Sequence, residues 1–329
     1  MILTRAPLRI TLGGGGTDLA SYYSRYGGFV LSAAIDKYVY VSIHRPAIDD
    51  LIRLKYSRFE EVATVDEVQH DLVRPALRLL GVTKNVEIAS LADVPTGTGL
   101  GSSSSYMVAV LAALYALRGE RLPPTELAEL AYLVEHDMAG HPVGKQDQYL
   151  AALGGITSLE FGTDGSVQVE LLGLPAATRI ALRERLLLFY TAIVREHHGI
   201  LSRQIAETDS AAPVTLESLH RTKAIGREAR RALESGDLDS FGLLMHEHWE
   251  TKKRRASDVS AEPIDRQYAL AREAGALGGK IVGAGGAGFL MLYVPPTCAA
   301  DVRAAMAAES LHEMRYDFEF EGVKVLLTD

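Results

Sequence analysis

A single cysteine, Cys298, is the entire thiol content of the 329 residues, which excludes an intrachain disulfide and fits a reducing compartment. Aromatic residues are sparse at 7%, and no stretch interleaves them with Lys or Arg. With a formal net charge of −8, the chain has no electrostatic footprint for nucleic acid, so an anionic ligand must be held by a local site. Long apolar runs are missing as well. The longest, Met107 to Leu117, falls short of the roughly 20 residues needed to span a bilayer. The N-terminus lacks the charged end and apolar block of a signal peptide; Met1 to Leu12 alternates apolar and polar residues and reads as a strand. The expectation is a soluble cytoplasmic protein without nucleic-acid or membrane partners. A chain of this length with 47% hydrophobic residues is expected to fold as two packed domains.

What is abundant is glycine in three separate loops. The most informative is Pro95-Thr-Gly-Thr-Gly-Leu-Gly-Ser-Ser-Ser-Ser105, which empties into the apolar run from Tyr106. Gly97, Gly99 and Gly101 allow a tight turn whose N–H groups can converge on an anion. Ser102 to Ser105 would then cap a helix whose positive end favours negative charge; a plain flexible cap is the alternative. No Lys follows Gly101 where a Walker A loop requires one.

The first loop, Gly13 to Gly16, follows the N-terminal strand and leads to Thr17-Asp18, with Asp18 at the mouth of a helix. Asp18 is either an N-cap or a ligand-binding carboxylate. Strands are expected at 28–35, 37–44, 51–56, 85–91, 155–161, 167–172, 185–194, 289–294, 314–320 and 323–327. Helices are expected at 66–80 with a kink at Pro75, then 102–117, 125–135 with Thr125 as cap, 200–207, 214–235, 238–255 and 297–308. The segment 173–179 is the expected domain boundary, dividing the chain into 1–178 and 179–329.

A second motif runs Glu135-His-Asp-Met-Ala-Gly-His-Pro-Val-Gly-Lys-Gln-Asp-Gln148. Asp147 opens a helix after a Pro/Gly loop, so capping and catalysis are both compatible with its position. His246-Glu-His-Trp-Glu250 is not a zinc helix, because Glu250 stands where a second His is required. Gly283, Gly285 and Gly288 form a G-x-G-x-x-G, but a strand and not a helix follows, which excludes a dinucleotide fingerprint. The basic run Lys252 to Arg255 near a helix end is either dipole complementation or an attraction for a substrate phosphate.

The string Pro-x-x-x-Gly-Leu-Gly-Ser-Ser resembles the nucleotide loop of the GHMP kinases. Ala6-Pro7-Leu8-Arg9 followed by glycines and Thr17-Asp18 resembles the first galactokinase motif, and Glu135 to Gln148 resembles the Glu-His-x-x-Ala-Gly-x-Pro-x-Gly-x-x-Asp-Gln string of galactokinase-type enzymes. The glycines from 283 to 288 resemble the third motif. Mevalonate-kinase-type chains place one residue fewer before the Asp, so this chain sides with the sugar kinases. With His-x-x-Trp-x-x-Lys-Lys from position 246, the pattern is similar to the D-glycero-D-manno-heptose 7-phosphate kinases, with L-fucose and glucuronate kinases as alternatives. A non-catalytic sugar or ATP sensor is the contrasting class.

The resemblance implies an α+β, two-domain GHMP fold, with a ribosomal-protein-like α/β first domain and a ferredoxin-like α+β second domain. It implies ATP as donor, its phosphates on Pro95, Gly97, Gly99, Leu100, Gly101, Ser102, Ser103 and Ser104, and Mg2+ held by Ser103 and Glu135. Asp147 would be the catalytic base with Arg9 beside it. Gly15, Gly16, Thr17, Asp18 and Gly144 would hold the sugar, and Gly285 and Gly286 would close over it. Arg195 and Lys252 are the expected contacts to a phosphate on the sugar.

Overall fold

The computed structural model describes residues 1–192, 198–255 and 259–328. The N-terminal alternation becomes strand β1 (Ile2–Gly13), and after helix α1 (Ala20–Tyr26) the chain returns antiparallel as β2 (Gly28–His44). β2 is one strand where the sequence suggested two. Asp36 and Lys37 bulge opposite the Pro7–Leu8 step, and the ladder continues beyond them. There follow β3 (Ile52–Lys55), β4 (Phe59–Val62), α2 (Val73–Leu79), β5 (Val86–Ala92), α3 (Ser102–Ala116), α4 (Pro124–Tyr132), α5 (Gln146–Leu153), β6 (Ile156–Phe161) and β7 (Val167–Leu171). Helix α2 is half its expected length. Pro75 sits in its first turn, where a missing N–H breaks no intrahelical bond, so it helps start the helix instead of kinking it. α4 likewise begins at Pro124, without a side-chain cap from Thr125.

The second half comprises α6 (Ala176–Arg185), β8 (Leu186–Tyr190), α7 (His198–Asp209), α8 (Pro213–Ser235), α9 (Leu238–Arg255), α10 (Glu262–Glu273), β9 (Gly278–Ile281), β10 (Phe289–Tyr293), α11 (Ala299–Ala308), β11 (His312–Glu313) and β12 (Lys324–Thr328). The first sheet runs β12-β1-β2-β5-β3-β4, antiparallel except for β3 beside β5. It forks along β2, whose residues 28–33 pair with β6 while residues 39–44 pair with β5. The second sheet runs β11-β8-β10-β9, all antiparallel.

β8 and β10 read as unbroken apolar runs because both faces of their sheet are covered. Leu186, Leu188, Met291 and Tyr293 join the core shared with the first sheet, while Leu187, Phe189, Leu290 and Leu292 face a second core beneath α10 and α11. The helical hairpin α8–α9 couples the two sheets: α8 lies on β1 and β2, and α9 lies on β9. The anticipated division at 178/179 falls inside α6, and β12 returns to pair with β1, so the chain ends in the sheet where it began. Residues 314–320 are not a strand; they cross between the sheets, meeting the first through a β-bridge from Phe318 to Ile35 and through Glu319, which contacts Arg5 and Tyr38. α10 and β9 had no counterpart in the sequence reading. No helix among the described residues is long and apolar enough to cross a membrane.

Candidate active site

Arg9 lies on β1 opposite Ala34, level with the fork in β2. Its backbone N–H donates to the Leu100 carbonyl at 3.0 Å, which ties the phosphate-type loop to the sheet. The side chain is 5% exposed and reaches Asp147 in the first turn of α5, donating from Nε to Oδ1 at 2.7 Å and from Nη2 to Oδ2 at 2.6 Å. Its Nη1 donates to the Gly99 carbonyl at 2.5 Å. A bidentate pair of this kind, its guanidinium buried and its carboxylate one-fifth exposed, fixes the carboxylate in both position and orientation.

The loop delivers its chain into α3 at Gly101, which is left-handed, and no side chain caps the helix. This corrects the expectation that the serines act as caps. Ser103 Oγ donates to Glu135 Oε1 at 2.5 Å, Ser104 Oγ to Glu135 Oε2 at 2.7 Å, and Ser105 Oγ to the Pro7 carbonyl at 2.8 Å. The first-turn N–H groups of α3 are thus left without side-chain partners at the helix's positive end, which suits an anion. Leu100 contributes only backbone here, since its side chain is fully buried in the core. Pro95 is exposed at the loop's edge and its carbonyl accepts from Thr98 Oγ1.

Glu135 sits in a widened helical turn, Leu133–Met138, and is completely buried. Gln148 Nε2 also donates to its Oε2, at 2.7 Å. Burial pushes its carboxyl upward, against the three donors that pull it down. Gln148 Oε1, next to this cluster, is buried without a hydrogen-bond partner. One carboxylate, one hydroxyl at the solvent edge and an orphaned amide oxygen make a hard-oxygen donor set that fits Mg2+ completed by phosphates and water. Among the described residues no group of three or more His, Cys, Asp or Glu could form an all-protein metal site.

Asp18 is 2% exposed and accepts from Gly16 N–H at 3.0 Å and Gln146 N–H at 3.3 Å. Desolvation, with repulsion from Asp147, raises its carboxyl above the ordinary range. A Cβ at Gly144 would overlap Asp18 Oδ2, so only glycine admits this carboxylate. Thr17 is differently placed from the expectation. Its hydroxyl is wholly buried, donates to the Gly14 and Phe29 carbonyls and accepts from Phe29 N–H, so it braces the loop and does not face the cleft.

Arg9, Gly15, Gly16, Asp18, Gly144 and Asp147 meet in one cavity of ≈ 80 Å³, closed on the far side by Lys252, Arg255, Gly283 and Ala284. Four other cavities, of ≈ 340, ≈ 330, ≈ 510 and ≈ 510 Å³, are larger and touch none of the glycine loops. Volume alone therefore does not locate the site; convergent charge does.

The third glycine loop lies directly on the loop that leads into α3. A Cβ at Gly99 would stand 2.5 Å from the Val282 carbonyl oxygen, and one at Gly283 would stand 2.7 Å from Gly99 Cα. Gly283 and Ala284 line the cleft; Gly285 and Gly286 do not, because they turn away to pack on Val259, whose carbonyl accepts from Gly286 N–H at 2.7 Å. Lys252 does reach the cleft, 8% exposed, with Nζ donating to the Gly283 carbonyl at 2.6 Å. Burial, with Arg255 and Arg9 nearby, pushes its ammonium down to about 7. Arg195 lies outside the described residues. The sequence reading missed Gln146, whose Oε1 accepts from Thr11 and Ser32, and Arg255; both lie inside strings already singled out.

The family models for the GHMP kinases N terminal domain and the GHMP kinases C terminal match residues 67–155 and 229–311. The chain is 30% identical over 334 residues to the D-glycero-alpha-D-manno-heptose 7-phosphate kinase of Campylobacter jejuni, with 98% of each chain covered. Among solved structures, a D-glycero-D-manno-heptose 1-phosphate kinase from Bacteroides thetaiotaomicron superposes with a TM-score of 0.82 and 28% identity over 100% of both chains. Lactococcus lactis galactokinase complexed with galactose shares the fold at a TM-score of 0.81 and 20% identity, covering 99% of this chain and 95% of that one. Two matched domain models and a full-length relative place the glycine loops in their family context: the chain belongs to the GHMP kinases and is an ATP-dependent sugar kinase.

Proposed function

We propose that the enzyme phosphorylates the anomeric hydroxyl of D-glycero-D-manno-heptose 7-phosphate, giving the 1,7-bisphosphate on a route to GDP-heptose and surface glycans. The observation that carries the reading is the Arg9–Asp147 pair between the uncapped start of α3 and the buried Asp18, in a cleft walled by cations. The name of the Campylobacter relative supplies the acceptor.

ATP phosphates would rest on the loop from Gly97 to Ser104 and the first N–H groups of α3. Asp18 and the backbone at Gly15, Gly16 and Gly144 would hold sugar hydroxyls. Asp147 accepts the proton of the attacking hydroxyl as its oxygen bonds to the γ-phosphorus, and the bond to the β,γ-bridging oxygen breaks, leaving ADP. Arg9 orients Asp147 and offers positive charge to the transferring group. Ser103 and Glu135 would hold Mg2+, which supplies charge neutralisation to the donor phosphates. Positioning and electrostatic stabilisation are the main demands of phosphoryl transfer, and this residue set meets them.

The test is ADP release with magnesium-ATP against heptose 7-phosphate, heptose 1-phosphate, mannose 6-phosphate, mannose, L-fucose, galactose and glucuronate. Turnover centred on heptose 7-phosphate supports the proposal. Preference for heptose 1-phosphate would move the reaction away from the anomeric centre, and preference for a free sugar would retain the kinase and remove the heptose phosphate.

A further inference from the structure

Arg255, the last residue of α9, is 7% exposed and lines the cleft, yet among the described residues no carboxylate lies within ion-pair distance of it. Its hydrogen-bond partners are neutral, and Glu207 acts on it only from beyond ion-pair distance: Nε donates to Ser218 Oγ at 3.2 Å, Nη1 to Gln204 Oε1 at 2.8 Å and Nη2 to Thr222 Oγ1 at 3.1 Å. Three of five guanidinium N–H groups are thereby used, and the charge is held in place without being neutralised.

Two other buried cations of this chain have a carboxylate partner, whereas Lys252 and Lys280, like Arg255, are held by neutral groups. Arg9 is paired with Asp147, and Lys145 with Glu129 at 2.8 Å. A buried charge with no counterion is costly, and an anion arriving from outside would relieve that cost. Gln204 adds to the preorganisation: its Nε2 donates to the Gly16 carbonyl at 3.0 Å while its Oε1 holds the guanidinium. Arg255 Nη1 therefore stands against the glycine loop that carries Asp18, 3.0 Å from where a Gly16 Cβ would be.

Placement separates this charge from the donor phosphates. The start of α3, Ser103 and Glu135 lie on the side of the cleft where Gly99 meets Gly283, and Lys252, one turn before Arg255, is tied to Gly283. Arg255 lies beyond Lys252, beside Gly16 and Gln204. We infer that Arg255 binds the phosphate already carried by the acceptor sugar and so makes an anionic substituent a requirement for the acceptor. This rests on the sugar-phosphate reading above and names the residue that enforces it.

The experiment compares wild type, Arg255→Gln and Arg255→Lys with heptose 7-phosphate, the unphosphorylated heptose and glucuronate, and separately follows thermal stabilisation by heptose 7-phosphate without nucleotide. Loss of a charge-assisted contact predicts an acceptor KM for heptose 7-phosphate raised ~10- to 100-fold in Arg255→Gln. The effect on the unphosphorylated heptose and on ATP should be at least ~10 times smaller, with partial recovery in Arg255→Lys and a reduced melting shift in Arg255→Gln. Equal losses for phosphorylated and unphosphorylated acceptor, or a loss centred on ATP, would overturn the role of Arg255 while leaving the heptose phosphate reading intact. Wild-type preference for the unphosphorylated sugar would sink both. A selective loss on glucuronate alone would assign the site to a carboxylate and refute the phosphate.

Discussion

Asp18 and Asp147 line one cleft but are held in opposite ways: Asp147 is clamped by the Arg9 guanidinium at 2.7 and 2.6 Å, whereas Asp18 is held by two backbone N–H groups and no cation. Their removal should separate kinetically. Asp147→Asn is expected to lower kcat by ~10²- to 10⁴-fold, the usual range for a lost proton acceptor, with KM for ATP within a few-fold. Asp18→Asn should act chiefly on acceptor KM. If Asp147→Asn retained more than about a tenth of wild-type kcat, a base role at that position would be untenable.

Glu135 offers a test that does not depend on turnover. Burial raises its carboxyl above the ordinary value of 4.5, so the folded chain holds this proton more tightly than the unfolded chain. Stability is therefore lost as pH rises above about 4.5 through the raised value. Its three donors are two hydroxyls that can rotate and one amide that can flip, so Glu135→Gln can keep its hydrogen bonds. The variant should melt higher than wild type at pH 7 to 8 in the absence of nucleotide, with the gap closing toward pH 4.5. It should also need more Mg2+ for half-maximal velocity. A melting gap that does not change with pH would refute the buried-charge account.

Much of this site was legible before the fold because its chemistry is local in sequence. Asp18 and Asp147 sit at loop–helix junctions and Arg9 in the strand that leads into the first glycine loop; the structure brings these three into one cleft, with Glu135 held by Ser103 and Ser104 at the start of α3. Tertiary partners decided the rest. Four serines in a row announce a cap, but Ser103 and Ser104 donate their hydroxyls to Glu135, a buried carboxylate that requires donors. Arg255 was hidden inside a basic run. Its face of α9 continues Met245, His248 and Lys252, all buried, while Arg254 on another face is exposed. That three-to-four spacing was the available signal. The glycine motif does not distinguish Gly283 from Gly285 and Gly286; the structure does, because a Cβ at Gly283 would stand 2.7 Å from Gly99 Cα.

Gly144→Ala probes the proposed sugar pocket without removing any functional group. The new methyl would overlap Asp18 Oδ2 and force the carboxylate to move. Overpacking of this kind costs ~1–3 kcal/mol, so a measurable fall in melting temperature is expected. Acceptor KM should rise by more than ten times the change in ATP KM, since Asp18 lies away from the start of α3 (about tenfold being ~1.4 kcal/mol). A variant with both KM values near wild type would show that Asp18 does not touch the acceptor.

Lys252 supplies a pH signature. Its ammonium is pushed down to about 7 from 10.5 by burial, with Arg255 and Arg9 adding repulsion. In the empty enzyme the unfolded chain then binds the extra proton between pH 7 and 10.5, so stability from this residue rises with pH across that window and its cost is fully present below pH 7. Lys252→Met should accordingly gain most in melting temperature near pH 6 and lose that advantage by pH 10. A phosphate monoester is mainly dianionic above about pH 6 and favours the charged ammonium. Acceptor KM for a phosphorylated sugar should therefore climb as pH rises above 7, more steeply than KM for ATP. Lys252→Arg, whose guanidinium stays charged, should flatten that climb, and Lys252→Ala should raise the phosphorylated-acceptor KM at every pH. Identical acceptor profiles for wild type and Lys252→Arg between pH 6.5 and 9 would mean that the Lys252 charge does not meet the acceptor, leaving Arg255 as its anion contact on α9.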